Sequence, residues 1–442
     1  MAHPIRARRR VNNVNLSCRG VAVLPRRKQL SCLLLCLPLL IAPLMSMAQS
    51  APSAATGLAA SAAFSNEVEG ALVRALETLN AGGIKPALKE LDAALAKNPN
   101  FRLGHLMRGD LLMAKSGATL ALTATPPSND RKGHPDTVAS IANLRHEAQV
   151  RLSRYYDAPA DDALPTSVLQ MAPGQEHALL IDSLRSRIYV FRNDNGRPQR
   201  VADFYTSIGK LGMEKAREGD QKTPLGVYRV TSRVAKEKLS NFYGPGAFPI
   251  NFPNDIDRRL GRTGSGIWIH GTPSDTYSRP PLASDGCVVL TNEDFQQLGK
   301  YVDPGSTPVV ISRSVEWQSP AEWTAFRSAF DGYLMDWKRD WESLNMDTYL
   351  AHYSSAFEAD GKDIAEWSAT KRRVNAAKSY VKVNIDNVSV FEYTTAVNKP
   401  PMIMVTFDQD YRSSNNVAKM KKRQYWQRED GRWKIIFEGA AT

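Results

Sequence analysis

"IHGTPSDTYSRPPLASDGCVVLTN", residues 269–292, decides how the middle of this chain is read. It opens on the end of "GIWIH", a short β-branched and aromatic run, and closes on "CVVL", a second run of strand-forming residues. A Pro/Ser-rich loop lies between them. Two strand ends of one sheet can bring His270 and Cys287 within hydrogen-bond reach, with the loop lying over the pocket. Taken alone, the pair admits three roles: base and nucleophile, part of a metal site, or two inert loop residues.

Catalysis by cysteine needs a thiolate, a base to take its proton, and a group to orient that base. Gly286, just before Cys287, lets a second backbone come close, and the turn into "VVL" can aim N–H groups at a developing oxyanion. The metal reading is poorly supplied. One Cys and one His do not fill a tetrahedral shell, and no CxxC or HxxxH spacing adds ligands. Neither metal nor cofactor is expected.

Working outward, residues 168–314 read as a mostly-β domain. "HALLIDSLRSRIYVF" gives strand, turn and strand, and "GVYRV" and "TPVVIS" add further short runs bounded by Gly, Pro and Asn. Upstream, 67–157 reads as a short helical module. Leu72, Leu76 and Leu79 recur at helical spacing, Gly82-Gly83 breaks the pattern, and Leu88, Leu91 and Leu95 resume it up to Asn98-Pro99. Leu103, Met107, Leu111 and Leu112 mark a third helix, 123–137 a loop, 138–156 a fourth helix, and 156–167 a linker. Ala87, Ala94, Pro99 and Gly109 fall where a tetratricopeptide-like repeat places its small residues and proline. Downstream, 316–442 has an α+β layout. Trp323, Phe326, Phe330, Tyr333, Leu334 and Trp337 form a helical apolar stripe, and alternating strand segments follow, with turns at Asn398-Lys399-Pro400 and Asp430-Gly431. His352 and Asp340, at helical spacing among the aromatics, read as structural or solvent-facing.

The formal charge of +12 does not point to nucleic acid. Eight basic residues and no acid lie in the first 28 positions, which leaves +4 for 29–442. The basic arm, the Pro-broken apolar run "LSCLLLCLPLLIAPLM" (30–45) and the small-residue site around Ser46 and Ala48 form the pattern of a secretory signal over 1–48. A flexible linker over 49–66 follows. The expected location is periplasmic or secreted, with membrane association only if the signal stays uncleaved. Cys18, Cys32 and Cys36 leave with that signal, so Cys287 becomes the one thiol of the mature chain. A leftover thiol in an exported protein is a candidate for reactive chemistry or intermolecular pairing.

The stretch resembles the L,D-transpeptidase (YkuD-type) catalytic domain, in which His-Gly is followed by Ser-x-Gly-Cys. Here these are His270-Gly271 and Ser284-Asp285-Gly286-Cys287. "GDQKTPLGVYRV" resembles that family's Thr-Pro-x-Gly strand start, at Thr223, Pro224 and Gly226, and the likeness covers about 175–313. Many members have His where this chain has Asp285 and Arg where it has Val289, which concerns substrate contacts and leaves nucleophile and base untouched. The resemblance implies a peptidoglycan-directed acyl transferase without cofactor. In it Cys287 is the nucleophile and His270 the proton acceptor, oriented by the Gly271 carbonyl or, as a substitute, by Thr272. The N–H groups of Gly286 and Cys287 form the oxyanion hole, with Ser284 and Asp285 in the substrate-binding surround. The acyl-enzyme meets an amine (transpeptidation, the leading expectation) or water (carboxypeptidase trimming of tetrapeptide to tripeptide stems). The C-terminal segment resembles an NTF2-like domain, and the pairing resembles cell-shape enzymes that trim tetrapeptides. The expected partners are peptidoglycan stem peptides and wall-associated proteins that bind the helical and NTF2-like modules. A non-catalytic wall-binding scaffold is the alternative from another class.

Overall fold

The mostly-β middle of the chain is built on a five-stranded sheet whose order is 197–205, 187–194, 177–182, 308–312, 226–229. The computed structural model describes residues 67–116, 135–393 and 399–441. The expected signal and linker over 1–66, and the turn residue Asn398, lie outside the described residues. Within the sheet, His177–Asp182 pairs antiparallel with Arg187–Asp194 and parallel with Pro308–Ser312. These strands read as near-continuous apolar runs, "ALLI", "IYVF" and "VVI", because the sheet is covered on both faces. Leu179, Ile181, Ile188, Val190, Val309 and Ile311 face one core together with Phe248, Ile269 and Val288. The alternate residues Ala178, Leu180, Tyr189, Phe191 and Val310 face Phe391, Met404 and Tyr425 of the C-terminal domain.

That C-terminal domain is a sheet in the order 168–170, 381–393, 402–413, 416–429, 432–440, with helices packed on its far face. The helix Pro320–Glu342 begins with Pro at its first turn and a capping box in which Ser319 and Glu322 satisfy each other's backbone N–H groups. Its stripe buries Trp323, Phe330, Leu334 and Trp337, and also Trp341, against Trp426, Trp433 and Ile435 of the sheet. Phe326 and Tyr333 pack at the edge of that core. The expected Asp430-Gly431 turn joins paired Glu429 and Arg432, both turn residues having positive φ (46° and 79°), the geometry of a two-residue hairpin. His352 and Asp340 pair with each other at 2.8 Å, half-buried at the edge of this domain.

The helical module consists of Glu67–Gly82, Ile84–Lys97, Arg102–Lys115 and Pro135–Tyr156. Leu72, Leu91, Leu95, Leu103, Met107 and Leu111 meet in one core around Phe101, while Leu112 is exposed. Among the described residues, no helix is long and apolar enough to cross a membrane.

Three boundaries differ from the sequence reading. The fourth helix begins at Pro135, inside the segment 123–137 read as a loop; residues 117–134 lie outside the described part. The linker 156–167 contains Leu164–Pro165, which pairs with Trp317–Gln318. Val168–Gln170, read as the start of the middle domain, hydrogen-bonds to Val390 and Phe391 and so completes the C-terminal sheet. Short segments carry no periodicity that says which sheet they join, and partners distant in sequence decide it.

Candidate active site

The strand Trp268–His270 lies between Gly246–Pro249, antiparallel, and Val288–Val289, parallel. His270 is in register with Val289, and Leu290 N–H donates to the His270 carbonyl at 2.9 Å. This ladder places the turn that carries Cys287 beside the strand that ends in His270.

The histidine is almost fully buried, at 1% exposure. Its Nδ1 lies 2.7 Å from the Gly271 carbonyl oxygen. An Nδ1–H donated there leaves Nε2 with the lone pair, the tautomer a general base needs. Tyr243 stands edge-on to the ring at 5.0 Å, and Phe242 lies against it at 5.8 Å. Burial pushes His270 down to about 4; the Gly271 bond opposes that shift and the Arg279 cation adds to it. At neutral pH the ring is therefore uncharged.

Cys287 is half-buried, and its thiol donates to the Gly266 carbonyl at 3.5 Å rather than to His270. Burial raises the thiol's pKa, opposed by the Trp268 backbone N–H, the Arg279 cation and Lys215. The resting pair is a neutral thiol and a neutral imidazole. Such contacts are often long in a substrate-free site and tighten once substrate binds.

The turn before Cys287 depends on glycine. Gly286 has φ +124°, and a Cβ there would stand 2.7 Å from the Lys222 carbonyl oxygen. Its own carbonyl accepts from Thr223 Oγ1 at 3.0 Å, and that hydroxyl also accepts from Gly209 N–H at 3.0 Å. The Thr-Pro-x-Gly run thus latches the cysteine turn from an adjacent segment.

Other expected site residues take different places. Gly286 N–H donates to Ser284 Oγ at 3.1 Å, so this one of the two N–H groups expected to face an oxyanion is engaged within the turn itself. Ser284 Oγ in turn donates to the Cys287 carbonyl at 2.6 Å, so this serine closes the turn. Thr272 does not orient the histidine: its hydroxyl donates to the Thr276 carbonyl at 2.6 Å, while Gly271 makes the bond to the ring. Asp285 stands at the rim, exposed and held by Lys210 at 3.0 Å and Gln221 at 3.2 Å.

Sequence reading missed Phe242, Tyr243, Arg279 and Asn292. The two aromatics sit in a single 3-10 turn, Asn241–Tyr243, too short for any spacing signal to mark them. Asn292 Oδ1 accepts from Thr272 N–H at 2.9 Å and fixes the start of the 271–286 loop; its place at the end of "CVVLTN" was the available clue. Among the described residues, no group of three or more His, Cys, Asp or Glu side chains is placed to hold a metal ion.

Comparison with known proteins agrees with this layout. Residues 176–311 match the family model described as the L,D-transpeptidase catalytic domain, and 330–439 the model described as the Cds6 C-terminal NTF2-like domain. A protein named putative L,D-transpeptidase YafK, from Escherichia coli strain K12, is 33% identical over 110 residues, which are 24% of this chain and 39% of that protein. The chain thus spans about two fifths of the length of the curated relatives it matches. The solved structure of Bdellovibrio bacteriovorus Bd1075 superposes with a TM-score of 0.56 at 28% identity, covering 63% of this chain and 99% of that one. The helical cell shape determining protein Pgp2 from Campylobacter jejuni shares the fold, with a TM-score of 0.54 at 22% identity, covering 67% of this chain and 100% of that one. The buried histidine, the glycine-dependent cysteine turn and the sheet behind them accordingly lie in a domain of the L,D-transpeptidase catalytic family, which this chain carries ahead of an NTF2-like domain.

Proposed function

We propose that the chain is a cysteine acyltransferase acting on the stem peptides of peptidoglycan. The observation that carries the reading is the His270 ring, fixed through Nδ1 by Gly271 with its Nε2 unprotonated, next to the strand that begins after Cys287. Nε2 takes the thiol proton as Sγ attacks the carbonyl carbon of the third stem residue. An S–C bond forms, the amide C–N bond breaks, and His270 returns the proton to the departing amine of the terminal D-alanine. Cys287 N–H, at the rigid turn, faces the oxyanion as it develops. Transfer of the acyl group from sulfur to an amine gives a cross-link, and transfer to water gives a tripeptide stem.

Transpeptidation is the leading outcome, in line with the name of the E. coli relative. Carboxypeptidase trimming is the second, favoured by the shared two-domain layout with a protein described as determining cell shape. Incubating the chain with purified disaccharide-tetrapeptide and weighing the products separates them. Linked dimers joined between third residues mean transpeptidation, and tripeptide alone means trimming. Unchanged tetrapeptide from folded protein removes the reading. The expected export across the membrane and association with the cell wall belong to the same proposal.

A further inference from the structure

The loop between His270 and Cys287 is held by the helical module. Tyr277 packs against the module's core, its ring edge-on to Phe101 at 5.0 Å. Ser278 Oγ donates to Glu147 Oε1 at 2.8 Å. Tyr205 OH, from the five-stranded sheet, donates to the Arg279 carbonyl at 2.8 Å. The chain is thus gripped at three successive residues, 277 to 279.

The grip is anchored in a buried charge network. Glu147 pairs with Arg151 at 3.0 Å, Arg151 with Glu69 at 2.6 Å, and Glu69 with Arg187 at 2.8 Å. Arg187 and Arg154 both pair with Asp203. The Arg151 guanidinium also lies 3.7 Å over the Tyr205 ring. Three carboxylates and three guanidiniums balance, all nearly inaccessible. Charges buried this way contribute little net stability compared with an apolar core. What such a network can supply is one defined arrangement of the groups bonded to it.

Arg279 is the residue so arranged. Its half-buried guanidinium stacks 4.7 Å over the Phe242 ring, and that ring lies against His270. It makes no ion pair among the described residues; Asp285, whose charge acts on it, is bound to Lys210 instead. Lys215 is likewise paired, with Asp220 at 2.9 Å. A guanidinium stacked on a ring keeps its edge donors free, and that fork matches a carboxylate in two parallel hydrogen bonds.

We propose that Arg279 receives a carboxylate of the substrate beside the Cys287 thiol, and that the helical module, through Tyr277 and Ser278, holds it there. The acyl-transfer reading enters only in naming that carboxylate as the one on the terminal residue of the stem peptide.

The test uses the full chain and two small alkylating agents of similar size, anionic iodoacetate and neutral iodoacetamide. Modification of Cys287 is followed by peptide mass. Arg279→Gln is expected to lower the iodoacetate-to-iodoacetamide rate ratio about tenfold, the value of one hydrogen bond to a charged group. Ser278→Ala, which keeps the Arg279 side chain and its Tyr205 bond but releases the preceding residue from Glu147, is expected to lower the ratio about threefold. Glu147→Gln serves as the second positioning variant should Ser278→Ala not fold. An unchanged ratio in Arg279→Gln overturns the proposal. A ratio lowered in Arg279→Gln but at the wild-type value in the positioning variant overturns the part assigned to the module. Stem-peptide kinetics separate this from the reading it rests on. Arg279→Gln is expected to raise KM for the tetrapeptide and leave KM for its C-terminal amide unchanged. Wild-type protein that shows the ratio but never turns over tetrapeptide supports the anion site and contradicts acyl transfer.

Discussion

The Nδ1 atom of His270 lies 2.7 Å from the carbonyl oxygen of its own neighbour, Gly271. A backbone acceptor cannot be removed by changing a side chain, so the orienting group survives any substitution at Thr272. Thr272→Val is therefore expected to lower activity only through the 271–286 loop, whereas His270→Gln removes the proposed base and is expected to lower kcat by about 10²–10⁴-fold. Steady-state rates of the two variants, compared on one substrate, check the difference.

The pH dependence follows from the same burial. His270 titrates at about 4 in the fold instead of 6.5, so between those values the unfolded chain holds a proton that the native site does not. Stability from this group is complete above pH 6.5 and is lost as pH falls toward 4. The loss is on the order of 3 kcal/mol. Urea unfolding at pH 7.5 and 4.5 is expected to show a steeper acid loss in wild type than in His270→Gln. The acid limb of kcat/KM is expected near pH 4, since the free base persists down to that value.

The cysteine turn gives a third outcome. Gly286→Ala places a methyl 2.7 Å from the Lys222 carbonyl at a backbone angle that favours glycine, and activity is expected to be lost. Thr223→Val keeps the shape but strands the Gly286 carbonyl and the Gly209 N–H. That is expected to cost about 1–3 kcal/mol and to displace the turn that carries Cys287. Circular dichroism melts together with Cys287 alkylation rates distinguish lost fold from lost geometry.

Arg187 joins Glu69 of the first helix to Asp203 of the five-stranded sheet, at 1% exposure. Arg187→Met leaves both carboxylates buried with fewer partners and is expected to cost about 3–5 kcal/mol. A denaturant titration read by fluorescence is expected to show the midpoint fall accordingly.

Much of this architecture was legible in local sequence. The β-branched runs named the strands around His270 and Cys287, the Ser-Asp-Gly-Cys run a turn into a strand, and the Thr-Pro-x-Gly run a strand start, whose hold on that turn through Thr223 shows only in the fold. The aromatic spacing over 323–337 named the helix that fills the C-terminal core. What could not be read arises from partners distant in the chain. Val168–Gln170 is a strand only because Val390 and Phe391 pair with it. Arg279 reads as one more loop cation until Phe101 and Glu147, more than a hundred positions upstream, are seen to hold its neighbours. The Gly286 N–H looked available for an oxyanion until the serine two residues earlier turned back to accept it.

The proposed reaction requires that Cys287 carry the acyl group. The most direct test is the intact mass of the full chain quenched during incubation with disaccharide-tetrapeptide, followed by peptide mapping. The expected result is an adduct equal to the substrate minus its terminal D-alanine, located on Cys287 and absent from Cys287→Ala. Product formation by Cys287→Ala at the wild-type rate, or an adduct mapped to another residue, would contradict it.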